Sequence, residues 1–295
     1  MLKYRKIYYA FSGTLVIGSI LSLLVFGLQF GTDFKGGSIM EVAFGEARPS
    51  HEAVRAALLD FQLGEIILQD SGQSNLVLKF REVNETVHQG IRNKLETLGK
   101  LEEARFESTG PAIGEETKNK ALWAMGLVVI MIMVYVAWAF RRVNFPVRSW
   151  KYGVIAVIAL FHDILITIGA FSLLGYFLRV EVDVSFIAAL LTILGYSVND
   201  TIVVFDRIRE NVLRQGSAFD FGEVINRSVS QTFMRSFNTS FTTLMALIAI
   251  FFFGGETVKY FAFALIVGIT VGTYSSIFLA SPLLFSWSML KSGKR

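Results

Sequence analysis

An α-helical polytopic membrane protein with one small α+β domain in water is the fold class this sequence predicts, and three observations carry it. Hydrophobic residues make up 53% of the 295, mean hydropathy is +0.52, and 27 phenylalanines stand against only 18% charged residues. That balance is far more apolar than a soluble domain of this length. Six segments, 7–30, 121–140, 153–177, 184–205, 237–253 and 260–287, approach or exceed the roughly 20 apolar residues needed to cross hydrocarbon. Between the first two lies a stretch with mixed charge and short apolar patterns bounded by turn residues, which is composition for folding in water. The expected division is 1–30 for the N-terminus and first span, 31–119 for the water-facing domain, 120–287 for five further spans and 288–295 for a tail.

The first apolar segment follows Lys3, Arg5 and Lys6 as a signal peptide would. It is longer than an h-region and no Ala-x-Ala site follows, so an uncleaved anchor is expected. Asp33-Phe34-Lys35-Gly36-Gly37 comes directly after it. Its paired glycines permit a tight backbone turn where the chain enters the first strand.

In the water-facing segment, 39–44 reads as a strand and 51–61 as an amphipathic helix through Val54, Ala57, Leu58 and Phe61. A second strand is expected at 65–69, a turn at Asp70-Ser-Gly-Gln73 and an alternating strand at 76–80. A helix over 83–98, with Val87, Ile91, Leu95 and Leu98 on one face, and a strand near 104–107 complete the order βαββαβ. That order is the ferredoxin-like split βαβ arrangement. Its open strand edges are places where an extended polypeptide can pair, unless charge blunts them.

Charge placement sets the orientation. Fifteen lysines and arginines fall at the N-terminus, between spans two and three, around spans four to five and at the C-terminus, whereas the two short opposite loops hold only Arg179 and Lys259. The positive-inside rule then puts both termini in the cytoplasm and the βαββαβ domain outside. Basic residues used this way fix topology, so no nucleic-acid partner is expected, and membrane lipid is the surrounding medium. Cysteine is absent and only His51, His88 and His162 are present, which leaves no disulfide framework and no cysteine or histidine-rich metal centre. There is no Gly-x-x-x-x-Gly-Lys-Ser/Thr loop and no Gly-x-Ser-x-Gly elbow, so neither a bound cofactor nor an enzyme activity is expected.

The candidate chemistry lies in the spans. Asp200 sits in the otherwise apolar fourth segment. A carboxylate at mid-bilayer costs about 2.5–3.5 kcal/mol on insertion scales, so an intramembrane acid is a functional candidate. Tyr196 and Ser197 fall one turn back, with Asn199 beside it, as a polar stripe. On span five Gln231, Arg235, Asn238 and Thr242 recur at spacings of four, three and four and share a helix face. Arg235 is the cation expected to partner Asp200, the alternative being a lipid-phosphate anchor. A carboxylate beside a permanent guanidinium is the smallest part of a proton relay, because protonation breaks the pair and release restores it. Asp163, next to His162 in span three, is open to two readings, a second relay carboxylate or a helix-packing hydrogen bond, while His162 reads as structural. Ala264, Gly268, Gly272, Ser276 and Ala280 form a ridge of small residues every four positions in span six, the pattern that brings helices close together.

These motifs together resemble those of the SecF family, the smaller subunit of the SecD/SecF component of bacterial protein export, over nearly the whole chain. Asp33 to Gly37 resembles the family's entry motif and Phe161-His162-Asp163 its third-span motif. The stretch from Val182 to Asn211 resembles its fourth span, and Gln231-Thr-Phe-Met-Arg235 the start of its fifth, with Met234 where many members carry a polar residue. The resemblance implies six spans in the bacterial inner membrane, a SecD-like partner beside the SecYEG channel, exported unfolded polypeptides as cargo and the proton-motive force as energy. It makes Asp200 the family's membrane carboxylate and Arg235 its membrane arginine. Two other classes are weighed against it. A proton-coupled small-molecule exporter of the resistance-nodulation-division type would need a larger outer portion, and an intramembrane aspartyl protease would need Asp163 and Asp200 to converge.

Overall fold

The computed structural model describes residues 1–45, 48–72, 74–141, 147–214 and 219–292. After a 3₁₀ turn at Leu2–Tyr4, α1 (Arg5–Phe26) crosses as the first span and a short α2 (Thr32–Lys35) follows it. The water-facing domain is β1 (Gly37–Phe44), α3 (His51–Ala57), β2 (Ile67–Ser71), β3 (Asn75–Phe80), α4 (Glu85–Glu96) and β4 (Leu101–Thr109). Then come α5 (Pro111–Ala139), α6 (Ser149–Leu178), α7 (Val184–Arg214), α8 (Phe221–Phe253) and α9 (Glu256–Ser275). A widened π turn at Ser276–Ala280 joins α9 to α10 (Ser281–Ser292), and these last three pieces form one span. Among the described residues six helices are thus long and apolar enough to cross a membrane.

The sheet runs β2-β3-β1-β4 with every neighbouring pair antiparallel, which is the ferredoxin-like order. Alternation decides its two faces. Met40, Val42 and Phe44 of β1 and Leu76, Leu78 and Phe80 of β3 turn to one side and pack with Val54, Leu58, Ile91 and Leu95 of the two helices. Ser50 caps α3 by accepting from the Ala53 amide, and Asn84 caps α4 by accepting from Val87, each satisfying an N–H that the first helical turn leaves open. The first helix is shorter than the sequence pattern suggests: α3 ends at Ala57 and a 3₁₀ turn takes over at Leu59–Phe61. Gln73, in the expected turn after β2, lies outside the described residues, as do Arg142 of the basic loop between spans two and three and residues 293–295 of the tail.

The paired glycines earn their place by proximity as well as conformation. Gly36 and Gly37 have φ of 80° and 145°, and a Cβ on Gly36 would lie 2.8 Å from Pro111 Cα while one on Gly37 would lie 2.9 Å from the Phe80 carbonyl. The chain therefore enters β1 through a slot that the start of α5 and the end of β3 leave too narrow for any side chain. Across the same junction Gly31 N–H donates to Val182 O (2.8 Å), Val182 N–H donates to Gln29 O (2.7 Å), and the Val184 amide donates to Asp33 Oδ2 (3.0 Å).

In the membrane portion α1 rests on α6 through small residues, with Ser172 Oγ donating to Ser22 O (3.0 Å). A Cβ on Gly169 would overlap Ser19. The inner spans α6, α7 and α9 bury the side chains of Ile155, Leu160, Ile193, Leu194, Phe205 and Ile269, whereas α5 buries only Gly114 and Val136. At 31 residues α7 is about 46 Å long and extends well past the roughly 30 Å of hydrocarbon. The sequence pattern ends this span at Phe205, but the helix continues to Arg214, and α8 begins at Phe221 rather than 237. Hydropathy marks where apolar residues stop, not where the helix does.

Candidate functional site

Asp200 lies on the face of α7 that meets α8 and is 8% exposed. Its Oδ2 has no hydrogen-bond partner among the described residues, and neither does Ser236 Oγ facing it from α8. Both line a small cavity of about 90 Å³ together with Tyr196, Asn199, Val203, Arg235 and Thr239. That volume is room for several waters. Arg235 thus shares the cavity with Asp200, but no ion pair within 4 Å joins them. The expected direct pair is replaced by two groups opening on one polar space. Tyr196 reaches across to α8, its hydroxyl donating to Ser240 (3.4 Å) and Thr243 (3.5 Å).

The face of α8 needs a correction. Gln231, Arg235, Asn238 and Thr242 share a stripe, yet all four are exposed, and the stripe that packs against the chain is Ser228, Thr232, Ser236 and Ser240. Both stripes are polar and both recur at about one turn, so spacing alone could not choose between them. Gln231 serves α7 further along: its Oε1 accepts from Arg207 Nε (2.7 Å) and Asn211 Nδ2 (2.9 Å), and Asn211 also donates to Ser228 Oγ (2.8 Å). This network holds together the extensions of α7 and α8 that the sequence pattern left out.

Ser197 belongs to a different acid. Asp163 is fully buried where α6, α7 and α9 meet, and its Oδ2 accepts from Ser197 Oγ (2.6 Å) and Ser275 Oγ (2.8 Å). Its Oδ1 lies 2.9 Å from His162 Nδ1. Neighbours on a helix project about 100° apart, yet these two side chains fold onto each other. His162 Nε2 is buried without a partner among the described residues. Gly272 supplies the room: a Cβ there would sit 3.1 Å from Ser197 Cβ and 3.4 Å from Asp163 Oδ2. Gly268 meets Ile193, and Ser276 Oγ hydrogen-bonds Thr201 Oγ1 at 2.8 Å, so the small-residue ridge of α9 lies against α7 of the same chain. Ser275 and Ser236 were not singled out in the sequence. Serines are common in spans, and only the opposing carboxylates mark these two.

Asp163 and Asp200 share no hydrogen bond, and Asp163 does not line the cavity beside Asp200. The two carboxylates therefore do not converge on one water as a protease dyad would. No cluster of three metal-ligating side chains occurs among the described residues.

The comparisons agree with this architecture. A family model described as protein export membrane protein SecD/SecF, C-terminal, matches residues 90–290, and one for the SecD/SecF GG motif matches 21–47. A protein translocase subunit SecF of Thermobaculum terrenum is 42% identical, with 97% of this chain and 93% of the relative covered. The chain belongs to the SecF family. A SecF of Vibrio alginolyticus is 39% identical over 96% of this chain and 87% of its own length. Among solved structures, the SecDF of Thermus thermophilus, titled a translocon-associated membrane protein, matches with a TM-score of 0.82 at 32% identity. A SecDF in a super-membrane-facing form matches with a TM-score of 0.69, also at 32%. The chain covers 38% and 39% of those two solved chains. The GG-motif match falls on the Gly36-Gly37 slot, which gives that motif a steric reason in this fold.

Proposed function

We propose that the chain acts as an auxiliary subunit of Sec protein export, using the proton-motive force to help secreted polypeptides leave on the outer side of the bacterial inner membrane. Both termini are then cytoplasmic and the βαββαβ domain faces out. The observation that carries the reading is Asp200: a nearly buried acid on a central span, with one oxygen unpartnered, opening with Arg235 on a polar cavity. A group that takes up and releases a proton needs a path for it and a neighbour that responds to its charge, and the cavity and the guanidinium supply both. In this reading Asp200 is the proton carrier, Arg235 its electrostatic counterweight through the cavity, and Asp163 the second acid whose part in the relay is still to be separated from packing.

The exposed stripe of α8 supports a partner subunit. Arg235, Asn238 and Thr242 stand on the outside of this chain within a membrane span, and polar groups at that depth face protein or water-filled cavities rather than lipid. A SecD-like subunit is the partner proposed for that surface, with the SecYEG channel and exported unfolded chains as the larger setting.

The test is gradient-driven export in proteoliposomes or a depleted strain. Asp200→Asn keeps size and hydrogen bonding but cannot exchange a proton, so it should insert and assemble normally and lose gradient-dependent export. Export at the parental rate would remove Asp200 from the mechanism.

A further inference from the structure

A cleft of about 820 Å³ lies between the underside of the outer sheet and the outer ends of the spans. Its roof is the sheet face that the helices do not cover: Ile39 of β1, Gln69 of β2, Val77 of β3 and Arg105 of β4 all line it, so it crosses all four strands. Its floor comes from the end of α6 and the starts of α7 and α9, where Leu178, Val184 and Val258 are exposed large apolar residues. We propose that this cleft is a docking groove for an extended stretch of unfolded polypeptide. The proposal rests on the export reading given above and names where that cargo would touch this chain.

Charge decides the class of occupant. The cleft carries ionisable side chains of both signs, of which Lys79, Arg105, Glu107, Glu181 and Asp70 are ion-paired within the protein. Lys79 pairs with Glu181 across it at 2.6 Å, and Arg105 pairs with Glu107 at 2.6 Å. Asp70 is held by Arg48 (2.8 Å) and His51 (2.7 Å), while Asp33 accepts from the Val184 amide and Asp183 from the Phe186 amide. A site for a charged small molecule needs uncompensated charge converging on one point. Here the charges left without an ion pair among the described residues, Asp33, Asp183 and Arg179, are of both signs, and with apolar side chains on the floor the cleft suits a chain whose backbone is neutral and whose side chains vary. The dimensions agree. Four strands at about 4.8 Å spacing put the outer two about 14 Å apart, the length of roughly four extended residues. A segment of that length would lie across the sheet with polar contacts above it and apolar ones below.

The chain contains no cysteine, so single cysteines report cleanly. In the full chain in mild detergent, Gln69→Cys in the roof and Val258→Cys in the floor would each carry a benzophenone, with exposed Arg55→Cys, on the helix side of the sheet, as the control. The probe is reduced, carboxymethylated lactalbumin, which cannot refold. Photocrosslinks to it from both cleft positions and not from position 55, competed by excess unfolded but not native lactalbumin, are the expected result. Filling the roof with Ile39→Trp should reduce the yield at Gln69→Cys several-fold. Should that variant not fold, the contrast between positions decides. Equal crosslinking from position 55, or phospholipid adducts replacing polypeptide adducts at 69 and 258 when the chain is in nanodiscs, would overturn the proposal. Docking needs no gradient, which separates the two readings. Crosslinks that persist while Asp200→Asn exports normally would leave the groove standing and the proton coupling refuted. Export that depends on Asp200 without any cleft crosslink would refute the groove alone.

Discussion

Removing Asp163 tests whether the buried junction of α6, α7 and α9 is a structural bond, a proton site, or both. The carboxylate is fully buried and engages three side chains: His162, Ser197 and Ser275. Side-chain hydrogen bonds within a membrane bundle average about 0.6 kcal/mol, so losing three costs roughly 2 kcal/mol. Ser275 has a second acceptor in the Gly272 carbonyl at 3.1 Å, but Ser197 Oγ makes no other hydrogen bond as donor. Orphaning that buried hydroxyl adds about 1–3 kcal/mol. Asp163→Ala should therefore lose roughly 3–5 kcal/mol, the sum of those two estimates. Asp163→Asn, which keeps one oxygen and the side-chain volume, should lose about 1 kcal/mol, near one net hydrogen bond.

The assay is an SDS titration of the purified chain in mild detergent, followed by tryptophan fluorescence and checked for reversibility. The sharper measurement is a cycle with Ser197→Ala. If the orphaned hydroxyl is a real part of the cost, the double mutant Asp163→Ala/Ser197→Ala should recover about 1–3 kcal/mol relative to the sum of the singles. Strict additivity, or an Asp163→Ala midpoint indistinguishable from the parent, would refute the network as a stabilising element. Running Asp163→Asn in the export assay then separates the roles. Near-parental stability with lost gradient dependence identifies a proton site, and preserved export identifies packing.

Two further outcomes follow from the geometry. Gly268→Val places atoms where Ile193 Cδ1 already lies 2.2 Å from the position of a Cβ, so it should destabilise by about 1–3 kcal/mol, and Ile193→Ala in the same chain should restore part of the loss in the same SDS titration. In the βαββαβ domain Glu85 titrates below the ordinary glutamate value of 4.5 because Gln89 and His88 hydrogen-bond its carboxylate. A depressed folded-state value gives stability that is present above the unfolded value and is lost as pH falls through the folded one. Acid unfolding of the βαββαβ domain, read by circular dichroism below about pH 4.5, should accordingly become shallower in Glu85→Gln.

The βαββαβ domain was legible because strand alternation and helical periodicity are local signals. Met40, Val42 and Phe44 declare a buried strand face, and Ile91 and Leu95 a helix face, whatever lies elsewhere. The six spans were legible for the same reason, as length and apolarity are counted along the chain. The interior of the bundle was not. Which polar stripe of α8 turns inward depends on α7, whose own face is set by α6 and α9, so Ser236 rather than Asn238 meets Asp200 for reasons no single helix contains. The same holds for Asp163, whose partners Ser197 and Ser275 lie 34 and 112 residues away in sequence. The π turn at Ser276–Ala280 was also unread, although Pro282 follows it and a proline inside a span frees a carbonyl that the backbone must accommodate.

One helix joins the parts that matter for coupling. The first amide of α7, at Val184, is held by Asp33 of the entry segment, and the strand-like contact of Val182 with Gln29 and Gly31 ties the loop before α7 to the same segment. Gly36 and Gly37, a few residues on, pass through the slot beside Pro111 into β1. Sixteen residues along α7, about 24 Å at 1.5 Å per residue, stands Asp200, with Ser197 of the same helix bonded to Asp163 between them. α7 is a single helix from Val184 to Arg214, so a shift of its body is carried to its first turn. A change of charge at Asp200 that altered how α7 sits against α8 would therefore be felt at Val184, beside the Asp33 bond, the contacts of Val182 with Gln29 and Gly31, and the Lys79–Glu181 pair. Those contacts lie between the membrane portion and the sheet, so the fold offers a short mechanical route from the proposed proton site to the βαββαβ domain.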